Sequence, residues 1–485
     1  MSSLTFRSAT DLAALIRSKQ ISSEELLDLY VARVERLNHR LTAVVALDIP
    51  AARKRAREAD EALHRGEVWG PLHGVPMTLK DTFDVVGMPS TWGVPELKDN
   101  YPAKNAPAVE KFLDAGAIVF GKTNIAAYHV GWMTKNEVYG TTSNPWDVSR
   151  SPGGSAGGAG AALAAGLTSL EIGVDFNGGV RNVAHFCGIW GHKPTYGITN
   201  LMGTVLPGIG SKPDMAVIGP IARSSDDLKL ALSIIIGPHP DDAVAWRIEL
   251  PPPRREGVAG LRVAVMPEHP EFPVEAAVKD RIQAVADFLA ARGAEVDDAA
   301  RPAIDMKAAF RVFVGLLIMP MMARRQDEQF WTRLSHLTQY FFSGSDDETE
   351  HQDETRLLSY ANWMMLDNAR KMVCGAWGEF FKDYDVLLCP AAPGVAVPHD
   401  VEKLWHQRRL DVNGKPLSVV EATMWGAMAT LGNLPATVAP AGFSPGGLPV
   451  GVQIVGPEYG DHTCLALAHY LERNFQGFVP PGRWE

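Results

Sequence analysis

The sequence predicts an α/β fold in which parallel β-strands are covered by helices on both faces. From Gly70 onward, short runs of β-type residues alternate with segments of helical periodicity. Such alternation is typical of strands joined by crossover helices, which cover a sheet from both sides. The chain can also form a large buried core, because 46% of its 485 residues are hydrophobic and only 21% are charged.

The N-terminal part is predicted to be helical. Residues 22–25 read Ser-Ser-Glu-Glu, a capping box in which the hydroxyl of Ser22 and the carboxylate of Glu25 satisfy free N–H groups at a helix start. Apolar residues then recur at helical spacing as far as Leu37. A second helix, rich in alanine, is expected over residues 51–63.

The later elements follow from the same periodicities. We expect β-strands over 75–79, 117–120, 170–174 and 261–266, and helices over 109–115, after Ser155 and over 274–291. Residues 301–370 differ, because they are rich in Phe, Trp, Met and Leu. This region is predicted to be a helical cap, either as core helices or as the wall of a substrate pocket. Its acidic run, 346–350, is interpreted as a solvated loop and not as a cation site.

The composition argues against several classes of partner. The net charge is −10 without a long basic run, so neither nucleic acid nor an anionic membrane surface is expected to bind. The N-terminus has no signal-peptide pattern, and the most apolar stretch is shorter than the roughly 18 residues of a membrane span. Four cysteines lie far apart without a C-x-x-C pair, which is typical of free thiols in a reducing compartment. We therefore expect a cytoplasmic protein.

Two glycine-rich segments and one lysine form the candidate site. Residues 151–158 (SPGGSAGG) precede a helix-forming run, but lack the Lys-Ser/Thr pair of a phosphate-binding loop. Residues 173–181 (GVDFNGGVR) are small enough for backbone N–H groups to turn toward a ligand oxygen, as in an oxyanion hole. Lys80 ends an apolar strand, where a lysine is costly unless it is paired, is functional or reaches solvent.

Together these segments resemble the amidase signature family of serine hydrolases. Further family motifs lie in order over residues 10–471, among them Gly74-Val75-Pro76, Gly121-Lys122-Thr123-Asn124, Asn144-Pro145-Trp146, His185-Phe186-Cys187-Gly188 and Lys193-Pro194-Thr195. The resemblance implies the amidase signature fold, a single domain over residues 1–485 with a mixed central β-sheet covered by helices on both faces. It also implies hydrolysis of the C–N bond of an amide, or cleavage of a related ester or carbamate, without a metal or a cofactor.

The family uses a Ser-cisSer-Lys triad, and the resemblance places its lysine at Lys80 and its bridging serine at Ser155. A neutral, desolvated lysine can accept a proton through the bridging hydroxyl and so activate a nucleophilic serine. The backbone N–H groups of one turn are expected to face a hollow beside Ser155: Phe176, Asn177, Gly178 and Gly179. The substrate is expected to be a small apolar or aryl amide. Residues that could bind it, or could equally belong to the core, are Tyr128, Trp132, Met133 and the aromatic stretch 331–342.

The family nucleophile aligns with Gly179, which has no side chain and can form no acyl-enzyme. Nearby departures from the family pattern are Ala156, Phe176, Asn177 and Val183. Three interpretations stay open: an amidase inactivated at this position, a site reshaped so that Lys80 and Ser155 act on water or on the substrate directly, and a non-catalytic homologue that binds a small molecule. The first predicts that Gly179→Ser restores amide hydrolysis.

The remaining polar groups of these motifs have structural interpretations. Asp175 and Arg181 are expected to brace the loop as an ion pair, while His185, His192 and Cys187 are expected to pack in the core. No set of His, Cys and carboxylate residues has the spacing of a zinc site. The expected partner is the substrate alone, with a homodimer as one oligomeric state that the sequence allows.

Overall fold

The computed structural model describes residues 4–211, 213–322, 359–400, 403, 407–482 and 484. The helices are α1 Ala9–Arg17, α2 Ser23–Leu37, α3 Ile49–His64, α4 Pro107–Asp114, α5 Gly157–Ala164, α6 Arg181–Cys187, α7 Ser225–Ile235, α8 Ala276–Ala290, α9 Met306–Met322, α10 Tyr360–Asp383, α11 Val419–Ala422, α12 Met424–Leu431 and α13 Asp461–Asn474. The strands are β1 Val44–Leu47, β2 Pro76–Lys80, β3 Ile118–Thr123, β4 Lys135–Asn136, β5 Gly140–Thr141, β6 Glu171–Asp175, β7 Trp190–Lys193, β8 Val217–Ala222, β9 Arg262–Val265, β10 Glu295–Asp297, β11 Val386–Pro390, β12 Arg409–Val412, β13 Lys415–Ser418, β14 Ala436–Phe443 and β15 Pro449–Val455.

The central sheet is mixed and is flanked by helices, as the family resemblance implies. Eight strands pair in the order β10-β9-β11-β15-β14-β7-β8-β6. Only β9 with β10 and β9 with β11 are parallel pairs, and the other pairs of this sheet are antiparallel. The parallel strands inferred from the alternation of elements therefore account for only part of this sheet, whereas the mixed sheet implied by the resemblance is confirmed. The alternation reports which residues are buried, but it carries no information on the direction of a strand.

A smaller sheet lies beside β6. It has the order β1-β3-β2, and no backbone ladder joins β2 to β6 among the described residues. Side chains connect the two strands instead, since the N–H of Thr78 donates to Oγ1 of Thr168 at 2.9 Å and the hydroxyl of Thr78 donates to Glu171. We call this junction the seam. It matters for function because Lys80 ends β2 and Asp175 ends β6.

Local predictions agree well with the described helices. The capping box at Ser22 and Glu25 is present, and the predicted strands and helices lie within a few residues of the observed bounds. In α5 every residue is buried, because its Gly and Ala side chains allow close backbone packing. A Cβ on Gly158 would lie 2.3 Å from the backbone N of Asn124, so no larger residue fits there.

The predicted cap is only partly described. Helices α9 and α10 pack against each other, and α9 also packs on α12. The acidic run 346–350 and the aromatic stretch 331–342 lie outside the described residues. A single domain over residues 1–485 stays a prediction. Within the described part of the chain, no helix combines the length and the apolar character needed to cross a membrane.

Candidate active site

A lysine and a serine meet at the seam. Lys80 is completely buried, and its Nζ lies 2.8 Å from Oγ of Ser155. The peptide bond between Gly154 and Ser155 is cis, and the carbonyl of Ser155 accepts a hydrogen bond from the N–H of Ala126 at 3.1 Å. The alternative in which Lys80 reaches solvent was therefore wrong.

Burial changes the acidity of this lysine. Desolvation lowers the pKa of Lys80 from 10.5 to about 7, although the carboxylates of Asp175, Asp81 and Glu171 oppose the change. About half of the amine is thus neutral at pH 7. A neutral amine within hydrogen-bond distance of a hydroxyl can act as its general base.

The turn after β6 is organised by the carboxylate of Asp175. It accepts hydrogen bonds from the N–H groups of Gly178 and Val180 at 3.0 and 3.1 Å, and it forms the predicted ion pair with Arg181 at 2.8 Å. Burial raises the pKa of Asp175, but the guanidinium of Arg181 and the N–H of Gly178 outweigh burial and lower this pKa to about 2. The N–H of Gly178 is consequently directed at Asp175. The expectation that it faces an oxyanion was wrong for this residue.

Gly179 lies where the family resemblance places a nucleophile. A Cβ built on Gly179 would be 3.4 Å from Oγ of Ser155. The same Cβ would be only 2.2 Å from the carbonyl oxygen of Val174. A contact this short with a backbone atom can be relieved only if the backbone itself moves. A serine at position 179 requires the backbone to shift first.

An apolar cavity of about 110 Å³ opens beside this pair. Its wall includes Ser155 and Gly179, together with four of the residues singled out in the sequence, Tyr128, Trp132, Phe176 and Asn177. Met133 does not belong to the wall, and its Sδ accepts from the N–H of Asp400 at 3.3 Å. None of the described lining residues is Asp, Glu, Lys or Arg.

Two residues of the cavity wall, Trp92 and His129, were not predicted from the sequence. The rings of Trp92 and His129 stack with centroids 4.5 Å apart at 18°, and both line the cavity. Trp92, Tyr128 and His129 have φ values of 56°, 55° and 65°. Non-glycine residues rarely adopt this left-handed conformation, and where they do it often marks a functional site. Leu317 of α9 also reaches the cavity, which favours the pocket-wall interpretation for the described part of the cap.

The other polar motif residues lie in the core. His185 accepts from the N–H of Gly451 at 2.9 Å, and His192 contacts Asp461 at 3.1 Å. Cys187 is fully buried, which raises the pKa of its thiol. None of the three lines the cavity. Among the described residues, no group of three or more His, Cys, Asp or Glu side chains could hold a metal ion.

Comparison with known proteins identifies the family. The model of the Amidase family matches residues 25–465. The A subunit of the glutamyl-tRNA(Gln) amidotransferase of Acidothermus cellulolyticus is 32% identical over 98% of this chain and 96% of its own length. Its counterpart from Prochlorococcus marinus is 30% identical over 96% of this chain and 97% of its own length.

Solved structures agree with this match. A bacterial aryl acylamidase of the amidase signature family superposes with a TM-score of 0.80 at 25% identity, covering 97% of this chain and 96% of the other. A chain from a vestigial protein complex, described for the origins of an s-triazine catabolic enzyme, gives a TM-score of 0.80 at 26% identity, covering 98% of this chain and all of the other. The sequence match, the shared fold and the lysine–serine pair lead to one conclusion: this chain belongs to the amidase family of amide-hydrolysing enzymes.

Proposed function

We propose that the protein hydrolyses the C–N bond of a small apolar or aryl amide, and that Ser155 is the group that attacks the carbonyl carbon. The observation that carries this proposal is the pairing of Ser155 with Lys80 at 2.8 Å in the wall of an apolar cavity. Position 179 offers no side chain and no room for one. The proposal therefore follows the interpretation in which the site acts through the lysine and serine that remain.

The proton transfers need no side chain other than those of Ser155 and Lys80. As Oγ of Ser155 bonds to the carbonyl carbon, its proton passes to the neutral amine of Lys80, which has a pKa near 7. The lysine ammonium then gives this proton to the leaving nitrogen as the C–N bond breaks. Water, deprotonated by the neutral lysine, attacks the acyl-Ser155 ester and releases the acid. Lys80 returns the proton to Ser155 and the cycle closes.

Backbone N–H groups would stabilise the oxyanion. Asn177 and Gly179 line the cavity beside Ser155, and their N–H groups take no part in the hydrogen bonds to Asp175 that hold the turn. We propose that these two N–H groups donate hydrogen bonds to the oxyanion that forms when Ser155 attacks the carbonyl carbon. A donor that is directed at the oxyanion typically contributes about 10²–10³-fold to kcat.

The wall favours a neutral substrate. A cavity of about 110 Å³ is close to the size that holds one aromatic ring, and the stacked rings of Trp92 and His129 give it a flat aromatic side. The relatives from glutamyl-tRNA(Gln) amidotransferases suggest a charged macromolecular substrate as a second candidate. The absence of Lys and Arg among the described lining residues makes this candidate the weaker one.

Turnover by the chain as it stands tests the proposal. We expect hydrolysis of anilides or small alkyl amides by the wild type, and loss of that activity in Ser155→Ala and in Lys80→Met. Ester and carbamate analogues in the same panel show which type of carbonyl bond the site cleaves. If the wild type binds these compounds in calorimetry but turns none of them over, the protein is instead a binding homologue. Affinity would then fall in Trp92→Ala and stay unchanged in Lys80→Met.

A further inference from the structure

Asn182 lies between the two glycine-rich turns. It is the second residue of α6 and is completely buried. Its Oδ1 accepts from the N–H of Gly154 at 3.0 Å, while its Nδ2 donates to the carbonyl of the same residue at 2.9 Å. One side chain therefore satisfies both backbone groups of the residue that directly precedes Ser155.

The same residue also holds the second turn. The backbone N–H of Asn182 donates to the carbonyl of Gly178 at 2.9 Å. The preceding residue, Arg181, is bound to Asp175, which fixes the rest of that turn. The start of α6 is thus linked to the serine-bearing turn on one side and to the oxyanion turn on the other.

Two glycines make room for this side chain. A Cβ on Gly153 would lie 2.5 Å from Oδ1 of Asn182, and a Cβ on Gly178 would lie 2.9 Å from its Nδ2. Both glycines also have positive φ, 92° and 105°, which other residues rarely adopt. The amide of Asn182 therefore fills a space that the backbones of both turns are shaped to leave.

We infer that Asn182 is a positioning residue, which sets the separation between Oγ of Ser155 and the backbone donors of Asn177 and Gly179. This inference rests on the proposed function, because it gives Ser155 and these donors their roles. The physical reason is that attack requires the nucleophile and the oxyanion donors in one fixed geometry. A displacement of about 1 Å can cost roughly a hundredfold in rate.

The variants Asn182→Asp and Asn182→Leu test this role. Aspartate keeps the shape but replaces the Nδ2 donor with an oxygen that repels the carbonyl of Gly154, while leucine removes both hydrogen bonds. In each we expect kcat to fall about a hundredfold and KM to change by less than about threefold, since the cavity wall is untouched. The pH midpoint of kcat in the leucine variant should remain that of the wild type, because Lys80 keeps its surroundings.

Asn38 offers a matched control. Its side chain makes the same pair of bonds to one residue, accepting from the N–H of Val44 at 2.9 Å and donating to its carbonyl at 2.7 Å. This contact lies at the edge of the smaller sheet, and neither residue lines the cavity. Asn38 is only half-buried, so Asn38→Asp should lose less stability than Asn182→Asp, and it should keep the kcat of the wild type.

The outcomes separate the inference from the proposed function. If the wild type is active and the Asn182 variants keep its kcat, the inference is overturned while the function stands. It is also overturned if Asn38→Asp loses kcat as strongly, since the effect would then follow general destabilisation. If the wild type shows no turnover and Ser155 takes no label from a fluorophosphonate, the function fails and the inference fails with it.

Discussion

At the scale of a single residue, Lys80 is the proposed general base, and its burial lowers the stability of the folded protein. Its pKa in the folded protein is about 7, against 10.5 for an unburied lysine. The folded state therefore binds fewer protons than the unfolded state between these pH values, so stability rises with pH across this window. Below pH 7 the full cost applies, on the order of 5 kcal/mol.

Replacement of this lysine should separate stability from activity. We expect Lys80→Met to lose turnover and to be more stable than the wild type at pH 7, by a few kcal/mol. The difference should shrink by about 1.4 kcal/mol for each pH unit above 7. Urea unfolding at pH 7 and pH 9 measures both effects. A variant that is less stable than the wild type at both values contradicts burial of a neutral amine.

The same pKa predicts a pH profile for the wild type. Only the neutral form of Lys80 can accept the proton of Ser155, so kcat/KM should be low under acidic conditions and rise through a midpoint near pH 7. Initial rates with a neutral anilide between pH 5 and 9 measure this, because such a substrate does not titrate there. A profile that falls with pH over this range would rule out a lysine base.

At the scale of the element, some features of the turn after β6 could be predicted from the sequence and others could not. The ion pair of Asp175 with Arg181 and the pairing of Lys80 with Ser155 followed from residue types and family motifs. The approach of the Val174 carbonyl to Gly179 did not, because the path of a glycine-rich backbone has no signature in residue type. The left-handed backbone at Trp92 and His129 was also missed, because a positive φ at a non-glycine residue has no signature in residue type.

This turn makes a prediction for two variants of Gly179. Both Gly179→Ala and Gly179→Ser place a Cβ 2.2 Å from the carbonyl of Val174, so both should destabilise the fold by about 1–3 kcal/mol and lower turnover alike. Thermal unfolding and steady-state kinetics of the pair measure this, with the alanine variant as the control for the added Cβ. A serine variant that gains activity while the alanine variant does not supports the inactivated-amidase interpretation.

At the scale of the whole molecule, the seam decides where the site forms. Hydrophobic periodicity closely predicted strands β2, β3, β6 and β9 and the helices near them, yet it gave neither the strand directions nor the break between β2 and β6. Those depend on pairing between segments far apart in sequence, such as Thr78 with Glu171. The break brings the ends of two strands together without a ladder, and that leaves room for Lys80 beside Ser155.

The seam also bears on folding. Buried residues from Ala9 to Trp484 belong to one continuous hydrophobic core, so the two sheets should unfold together although no ladder joins them in the described residues. Urea transitions followed by tryptophan fluorescence and by far-ultraviolet circular dichroism are expected to coincide. Two resolved transitions would mean that the smaller sheet is an independent unit, contrary to a single domain.

The most direct test of the central claim is to find which residue carries the acyl or phosphonyl group. Wild type treated with a fluorophosphonate, digested and sequenced by mass spectrometry should carry one adduct on Ser155, and Lys80→Met should label far more slowly. If the wild type carries no adduct and the Gly179→Ser variant is labelled at position 179, the account is contradicted. The nucleophile would then be assigned to position 179.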